Sequence, residues 1–352
     1  MSILNSKTYI NDLRYTITRT DIFDCFKDKS IFITGGTGLI GSGVVDLLLM
    51  ANSMRNLNIR ILLAARNVGK AKSRFLDFPD SNVLSNISYI QYDATKKNNL
   101  DFKANYIIHA AGNAHPKAFV DRPVDTMISN IDGLKELLDY SRSNNVENVL
   151  YVSSSEIYGR NNMMTPFKED EYGYIDILNP RNAYASSKRA SETLCSSYYK
   201  QYGVKSTIVR PGHIYGPTAT KNDSRVGSSF AYCGAEGKDI VLKSDGRQLR
   251  SYCYVLDCAT AILTVLLSGT PATAYNISNF NSIISIKKLA EMYAEAGNVN
   301  LVYDLPTESE KTAFNPMDNS SLDSQKIEEL GWRGIFDART GTSHTVLILR
   351  GE

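Results

Sequence analysis

Two side chains four residues apart are the first in this 352-residue sequence able to do acid–base chemistry together. They are Tyr184 and Lys188, in Tyr184-Ala185-Ser186-Ser187-Lys188. On a helix that spacing sets phenol and ammonium on one face. A free phenol ionises near ~10, too high for a base at neutral pH; an adjacent ammonium favours the phenolate and brings that value down. Upstream, Val152-Ser153-Ser154-Ser155-Glu156-Ile157-Tyr158-Gly159 ends an apolar run in hydroxyls and a carboxyl. A hydroxyl there can hydrogen-bond a substrate oxygen beside the tyrosine. Glu156 is a further acid or base, or a solvated loop carboxylate.

The strongest local feature is Thr34-Gly35-Gly36-Thr37-Gly38-Leu39-Ile40-Gly41. A G-x-x-G-x-x-G run between strand and helix lets backbone approach a pyrophosphate and aims the helix's first N–H groups at it. It predicts a bound dinucleotide touching Gly35, Thr37, Gly38, Leu39, Ile40 and Gly41. The next strand ends in Ala64-Ala65-Arg66-Asn67, without the acidic residue that grips a ribose 2′-OH. Arg66 suits a 2′-phosphate and leans the local reading to NADP; the alternative is that it stacks on adenine or points to solvent. Asp93, with Ala94 beside it, either accepts from the adenine amino group or caps a turn.

The elements that must position these residues are written in the hydrophobic pattern. Strand-like runs span residues 30–34, 59–64, 87–92, 106–111, 148–153 and 206–210, with helical spacing over 39–50, 68–76, 124–143 and 183–202. Short apolar strands alternating with amphipathic helices predict an α/β protein with a doubly wound Rossmann-type parallel sheet. After Pro211 the pattern turns irregular, which predicts a smaller mixed α/β substrate domain. The expected division is an N-terminal extension of unassigned role (1–28), a dinucleotide-binding domain (29–210) and a mainly substrate-binding part (211–352), some of whose segments return to the first. The composition, 43% hydrophobic and 22% charged, is that of a soluble folded chain. A balance of 39 basic and 37 acidic residues carries no footprint for nucleic acid or an anionic membrane. No apolar stretch approaches the ~20 residues of a membrane span, and the first residues do not resemble a signal peptide. Five scattered cysteines without a C-x-x-C pair suggest reduced thiols and a cytoplasmic location. Four histidines (His109, His115, His213, His344) without an i,i+4 pair predict no metal site.

Taken together these motifs resemble the extended short-chain dehydrogenase/reductase family, the nucleotide-sugar epimerases, dehydratases and decarboxylases. The likeness runs through the glycine fingerprint, His109-Ala110-Ala111, Asn130, Ser154-Ser155-Glu156-Ile157-Tyr158-Gly159 and Tyr184-x-x-x-Lys188. It continues in Arg210-Pro211-Gly212-His213-Ile214-Tyr215-Gly216-Pro217, Gln248 to Val255 and Leu330-Gly331-Trp332. The resemblance implies Tyr184 as general base, Lys188 on the nicotinamide ribose, and Ser154, four residues before Tyr158, as the catalytic hydroxyl. It implies further cofactor contacts from Ala94, Ala110, Ala111, Asn130, Pro211 and His213. It places Ser155, Arg225 and Arg250 on the nucleotide-sugar substrate, the arginines where guanidinium forks suit a diphosphate. His213 departs from the asparagine usual in relatives. The resemblance also implies a homodimer, compatible with apolar Leu134, Leu137, Leu138, Leu194 and Tyr198, which internal packing explains equally.

All relatives begin alike, with loss of the sugar 4-OH proton to the tyrosine and of hydride to the nicotinamide. An epimerase then needs only room for the 4-keto sugar to turn. A dehydratase and a decarboxylase use a further acid or base near C5, which Glu156 would supply. Ser154-Ser155-Glu156, Lys188-Arg189-Ala190-Ser191-Glu192-Thr193 and Asn222-Asp223-Ser224-Arg225-Val226 are similar to segments of UDP-glucuronate decarboxylases. Arg66 departs from them, since those enzymes carry an acidic NAD-selecting residue. The expectation is therefore a UDP-glucuronate-decarboxylase-like enzyme, then an NDP-sugar 4,6-dehydratase, an epimerase, or an NADPH-dependent keto-sugar reductase.

Overall fold

The computed structural model describes residues 2–112, 121–161, 164–304 and 317–352. Its first helix, α1 (Lys7–Thr18), is capped by Ser6, whose hydroxyl accepts from the Tyr9 N–H at 3.2 Å. Tyr9, Leu13 and Ile17 recur every fourth residue and are all buried, so one stripe of α1 faces the interior. The Tyr9 hydroxyl donates to Asp46 (2.7 Å) and Tyr254 donates to Asp12 (2.9 Å). The segment that reads as an extension is thus built into the body of the protein; its helix period is short and half polar, which hides it in a linear pattern.

The central layer follows as β1 (Ser30–Thr34), α2 (Leu39–Arg55), β2 (Arg60–Ala65), α3 (Val68–Phe75), β3 (Ile87–Gln91), β4 (Tyr106–His109), α4 (Pro123–Asn144), β5 (Asn148–Val152), α5 (Ala183–Tyr202) and β6 (Ser206–Pro211). Then come β7 (His213–Tyr215), α6 (Val226–Ala235), β8 (Ile240–Leu242), β9 (Leu249–Tyr254), α7 (Val255–Ser268) and β10 (Ala274–Ile277). The chain ends with β11 (Ile283–Ser285), α8 (Ile286–Gly297), β12 (Leu301–Tyr303), β13 (Asn319–Ser320), α9 (Gln325–Glu328) and α10 (Ala338–Arg350).

Seven strands form one wholly parallel sheet in the order β10-β6-β5-β4-β1-β2-β3. Every residue of β1 and β5 is buried, as expected of central strands covered by helices on both faces. The strand order reverses between β1 and β4, and that switch opens the crevice at the carboxyl ends of the strands where such sheets hold ligands. Strand β4 stops at His109, two residues short of the expected run, where the N–H groups of Ala110 and Ala111 both turn to Thr34 of β1. Around a second sheet, β9 pairs with β7 and β13 in parallel and with β11 antiparallel. Gly212 links β6 of the first sheet to β7 of the second; a Cβ there would stand 2.8 Å from the Ser251 carbonyl oxygen. Among the described residues no helix is long and apolar enough to cross a membrane.

Helices α4 and α5 lie against each other, joined by Ser191 to the Asn130 carbonyl (2.9 Å) and Tyr198 to Asp139 (2.6 Å). Leu134, Leu137 and Leu138 are spent in the chain's own core. The apolar residues these helices expose are Val124, Met127, Ile128, Tyr199 and Tyr202.

Candidate active site

Strand β1 delivers the chain into the glycine turn. Gly35 has φ of +70°, which L side chains rarely adopt, and a Cβ there would lie 2.5 Å from the Ala110 carbonyl oxygen. At Gly41, on the first turn of α2, a Cβ would come 2.3 Å from the Gly35 oxygen. Gly38 caps α2 without a side-chain hydrogen bond, and the first intrahelical N–H bond is that of Ser42 to Gly38. The N–H groups of Leu39, Ile40 and Gly41 therefore have no helical partner. A bare backbone concavity with donors at a helix's positive end fits the pyrophosphate of a dinucleotide. Thr37 is exposed on this turn.

Thr34 ties the turn to the end of β4: its hydroxyl accepts from the Ala111 N–H (3.1 Å) and bonds His109 Nδ1 (2.8 Å). Burial, assisted by the charge of Lys188, pulls His109 down to about 3, so its ring is neutral. At the end of β2, Arg66 is exposed and its guanidinium has no hydrogen-bond partner among the described residues. Asp93 caps a turn, with Oδ1 accepting from both the N–H (3.0 Å) and the hydroxyl (2.8 Å) of Thr95. Burial works against its charge, but those bonds and the Lys96 and Arg66 charges prevail and hold the carboxyl below its ordinary range. Ala94 is pinned under α4, where a Cβ on Gly133 would stand 2.9 Å from its methyl carbon. Asn130, also on α4, donates to Ser187 (3.0 Å), while its buried Oδ1 has no partner among the described residues.

The acid–base group assembles where β5 ends against α5. Tyr184 and Lys188 are both buried, with the Lys188 Nζ 5.6 Å from the Tyr184 ring centre and 4.6 Å from that of Tyr151. Lys188 donates to the Val152 carbonyl at 2.7 Å. Burial pulls Lys188 down to about 7, although the Glu192 carboxylate resists. Burial pushes Tyr184 up to about 12, against a hydrogen bond from Ser154. Both shifts disfavour charge, so each group is poised to give or take a proton rather than to sit ionised. Ser154 stands in extended conformation before the short 3₁₀ turn Ser155–Tyr158, and its oxygen accepts the Glu156 N–H at 3.2 Å. Ser155 opens that turn.

Glu156 faces inward from it. Burial raises its carboxyl above the ordinary value, with the charges of Arg181 and Arg250 pulling the other way; it also acts on Tyr184. It is therefore a partly buried carboxyl on the same turn as Ser154. Arg250, on β9, is buried and donates to the carbonyls of Leu249 (2.8 Å) and Met317 (3.0 Å). Arg225 is gripped by Asp223, Nε lying 2.9 and 3.0 Å from the two carboxylate oxygens, which occupies the fork expected to face a diphosphate. His213, just past Pro211, is pulled down to about 3 by burial and by the Arg250 and Arg225 charges. It is neutral, with a buried Nδ1 that has no partner among the described residues.

Linear reading passed over a set of groups beneath these. Arg210, 2% exposed, directs all five N–H donors inward: to Glu192 (2.6–3.2 Å), to the hydroxyls of Tyr158 (2.9 Å) and Tyr172 (3.0 Å), and to the Glu169 carbonyl (2.6 Å). Glu192 also accepts from Ser153 at 2.5 Å. The available signal was Glu192 itself, one helical turn beyond Lys188; its partners Ser153 and Arg210 come from two other segments.

The geometry agrees with comparisons to known proteins. The chain is 28% identical over 320 residues to UDP-glucuronic acid decarboxylase 3 of Arabidopsis thaliana, covering 90% of this chain and 88% of that one. It is 27% identical over 333 residues to human dTDP-D-glucose 4,6-dehydratase, covering 90% and 89%. Its fold matches the Thermus thermophilus UDP-glucose 4-epimerase solved in complex with NAD, at TM-score 0.73, 24% identity and coverage of 92% and 99%. The model of the NAD dependent epimerase/dehydratase family matches residues 31–278, and with the glycine cradle and the buried Tyr184–Lys188 pair in place, the chain belongs to that family of enzymes.

Proposed function

We propose that this enzyme removes the C5 carboxylate of a nucleoside-diphosphate uronic acid through a 4-keto sugar, as a UDP-glucuronate decarboxylase does. The observation that carries the reading is Glu156, a carboxyl on the turn beside Tyr184 and Ser154 whose pKa burial raises against the charges of Arg181 and Arg250. Tyr184 takes the proton of the sugar 4-OH, with Ser154 holding the same oxygen. Lys188 stabilises the phenolate and reaches the nicotinamide ribose. A bound nicotinamide supplies the hydride acceptor, and later the donor, at C4. A 4-keto group beside C5 is an electron sink, into which the electrons of the breaking C5–carboxylate bond flow as carbon dioxide leaves. Glu156 then returns a proton to C5, the burial that raises its pKa favouring the protonated form. Arg250 and Arg225 hold the diphosphate, Arg225 after its bond to Asp223 is shared or exchanged.

A second reading, 4,6-dehydration of a neutral NDP-hexose, rests on the same carboxyl, which as a carboxylate would take the acidic C5 proton and pass it to the departing 6-hydroxyl so that water leaves; the dehydratase likeness supports it. The proposed cofactor is NAD retained through the cycle; Arg66 would instead hold the 2′-phosphate of NADP. The proposed assembly is a homodimer through the outward faces of α4 and α5, to be read by light scattering.

The test is to denature the purified protein, identify the released cofactor by mass and absorbance, and incubate native protein with UDP-glucuronate. Carbon dioxide and a UDP-pentose in equal amounts establish decarboxylation. Retained cofactor with untouched UDP-glucuronate overturns it, and loss of water from a neutral NDP-hexose then establishes the second reading. Absence of retained cofactor with stoichiometric NADPH oxidation would make the enzyme a reductase.

A further inference from the structure

Three consecutive residues at the end of β5 are each tied to one of three residues spaced by four on α5. The Val152 carbonyl accepts from Lys188 at 2.7 Å, the Ser153 hydroxyl donates to Glu192 at 2.5 Å, and Ser154 hydrogen-bonds Tyr184. Residues 184, 188 and 192 form one stripe of the helix. Strand alternation turns the Ser153 and Ser154 side chains to opposite sides, yet both are held by that stripe because the chain leaves the sheet here. The Ser153 N–H still closes the ladder to Val209 (2.8 Å).

The outer end of this seam is anchored more heavily than the rest. Arg210 seats the Glu192 carboxylate and gives its remaining donors to Tyr158, Tyr172 and the Glu169 carbonyl. Tyr158 passes the connection to Asn276 at 2.5 Å, and Asn276 donates to the carbonyls of Phe167 (2.9 Å) and Asp323 (3.0 Å). Arg189, the next residue after Lys188, holds the carbonyls of Ile157 (2.6 Å), Tyr158 (3.2 Å) and Gly173 (2.8 Å). The turn carrying Ser154 and Glu156 is therefore fastened to α5, β6 and β10 at once.

We propose that Glu192 is a positioning residue for the acid–base pair: seated by Arg210, its carboxylate holds Ser153, fixes the Val152 and Ser154 groups that grip Lys188 and Tyr184, and sets the charge felt by Lys188. Glu192 touches no reacting atom. The inference rests on Tyr184 and Lys188 being that pair and not on the identity of the sugar.

Two variants test it, each compared with wild type when loaded with NAD. Ser153→Ala removes the hydrogen bond and leaves the Arg210–Glu192 ion pair whole; Glu192→Gln keeps the shape and removes the charge. The first readout needs no sugar: the ultraviolet phenolate band of Tyr184, isolated by subtracting a Tyr184→Phe variant, is titrated against pH. Removing the Glu192 charge destabilises the Lys188 ammonium, so the Tyr184 titration in Glu192→Gln moves to higher pH, by about one unit. Ser153→Ala keeps the charge and shifts little. With a turned-over nucleotide sugar, both variants lower kcat about tenfold with KM unchanged, and Glu192→Asp restores part of it. Should Glu192→Gln fail to fold, Ser153→Ala decides through kcat. Variants with lower melting temperature but unchanged Tyr184 titration and kcat would overturn the proposal and make the cluster purely structural.

Discussion

Replacing Lys188 by Met tests the electrostatics of the site most directly. The Lys188 Nζ lies 5.6 Å from the Tyr184 ring centre. At that separation and an effective dielectric of about 20, an ammonium stabilises a phenolate by about 3 kcal/mol. At 1.36 kcal/mol per unit this is about two pKa units. Tyr184 needs the help, because burial pushes it up to about 12 in spite of the Ser154 hydrogen bond and the Arg225 charge. In cofactor-loaded Lys188→Met the acid limb of the kcat/KM profile should therefore move alkaline by about two units. Near neutral pH kcat/KM should fall about 100-fold, and much of the loss should be recovered as pH rises. The assay is initial rate against pH on protein whose bound cofactor is measured in parallel. An equal loss at every pH, in protein that keeps its cofactor, would refute the charge argument and leave Lys188 a ribose ligand only.

Gly41→Ala places a methyl 2.3 Å from the Gly35 oxygen; the variant should fold, by circular dichroism, yet purify without the cofactor absorbance of wild type. Glu156→Gln should keep cofactor, oxidise C4 and release carbon dioxide once per site, so reduced-nicotinamide absorbance accumulates while UDP-pentose formation drops about 10²–10⁴-fold, the usual worth of an acid–base group. His344, whose Nδ1 lies 2.9 Å from Asp12, has its pKa raised by that hydrogen bond against partial burial. A folded value above the unfolded ~6.5 contributes stability that is fully present below that value and lost as pH rises through the folded one. Its half-exposed setting keeps the contribution under about 1 kcal/mol. Urea midpoints at about pH 5.5 and pH 8 should differ by this term in wild type and lose it in His344→Gln.

The parts of the site most legible in the sequence were those whose chemistry depends on local spacing. A glycine turn between a strand and a helix, and a tyrosine and lysine one helical turn apart, have the same geometry wherever their helix sits, so Gly35 to Gly41, Tyr184 and Lys188 could be read from the chain. Six of the seven parallel strands were visible for a similar reason, as buried apolar runs bounded by polar helices; β10, which follows the irregular stretch after Pro211, was not. Residues 1–28 were not: a short helix with an apolar stripe at Tyr9, Leu13 and Ile17 looks like a polar segment until α2 and Tyr254 supply its partners.

Charge states and pairings belonged to the tertiary structure, because they depend on burial and on neighbours distant in sequence. Glu156 read as an acid or base with a loop carboxylate as the alternative; its burial and the nearby Arg181 and Arg250 charges come only from the fold. Arg225 was expected to be free for a diphosphate and is held by Asp223. The seam of Val152, Ser153 and Ser154 against Tyr184, Lys188 and Glu192 joins one strand end to a helix, and Arg210 reaches it from a third element. Local spacing determines which side chains share a face; only the packed chain decides which faces meet, and desolvation at that meeting sets which groups carry protons.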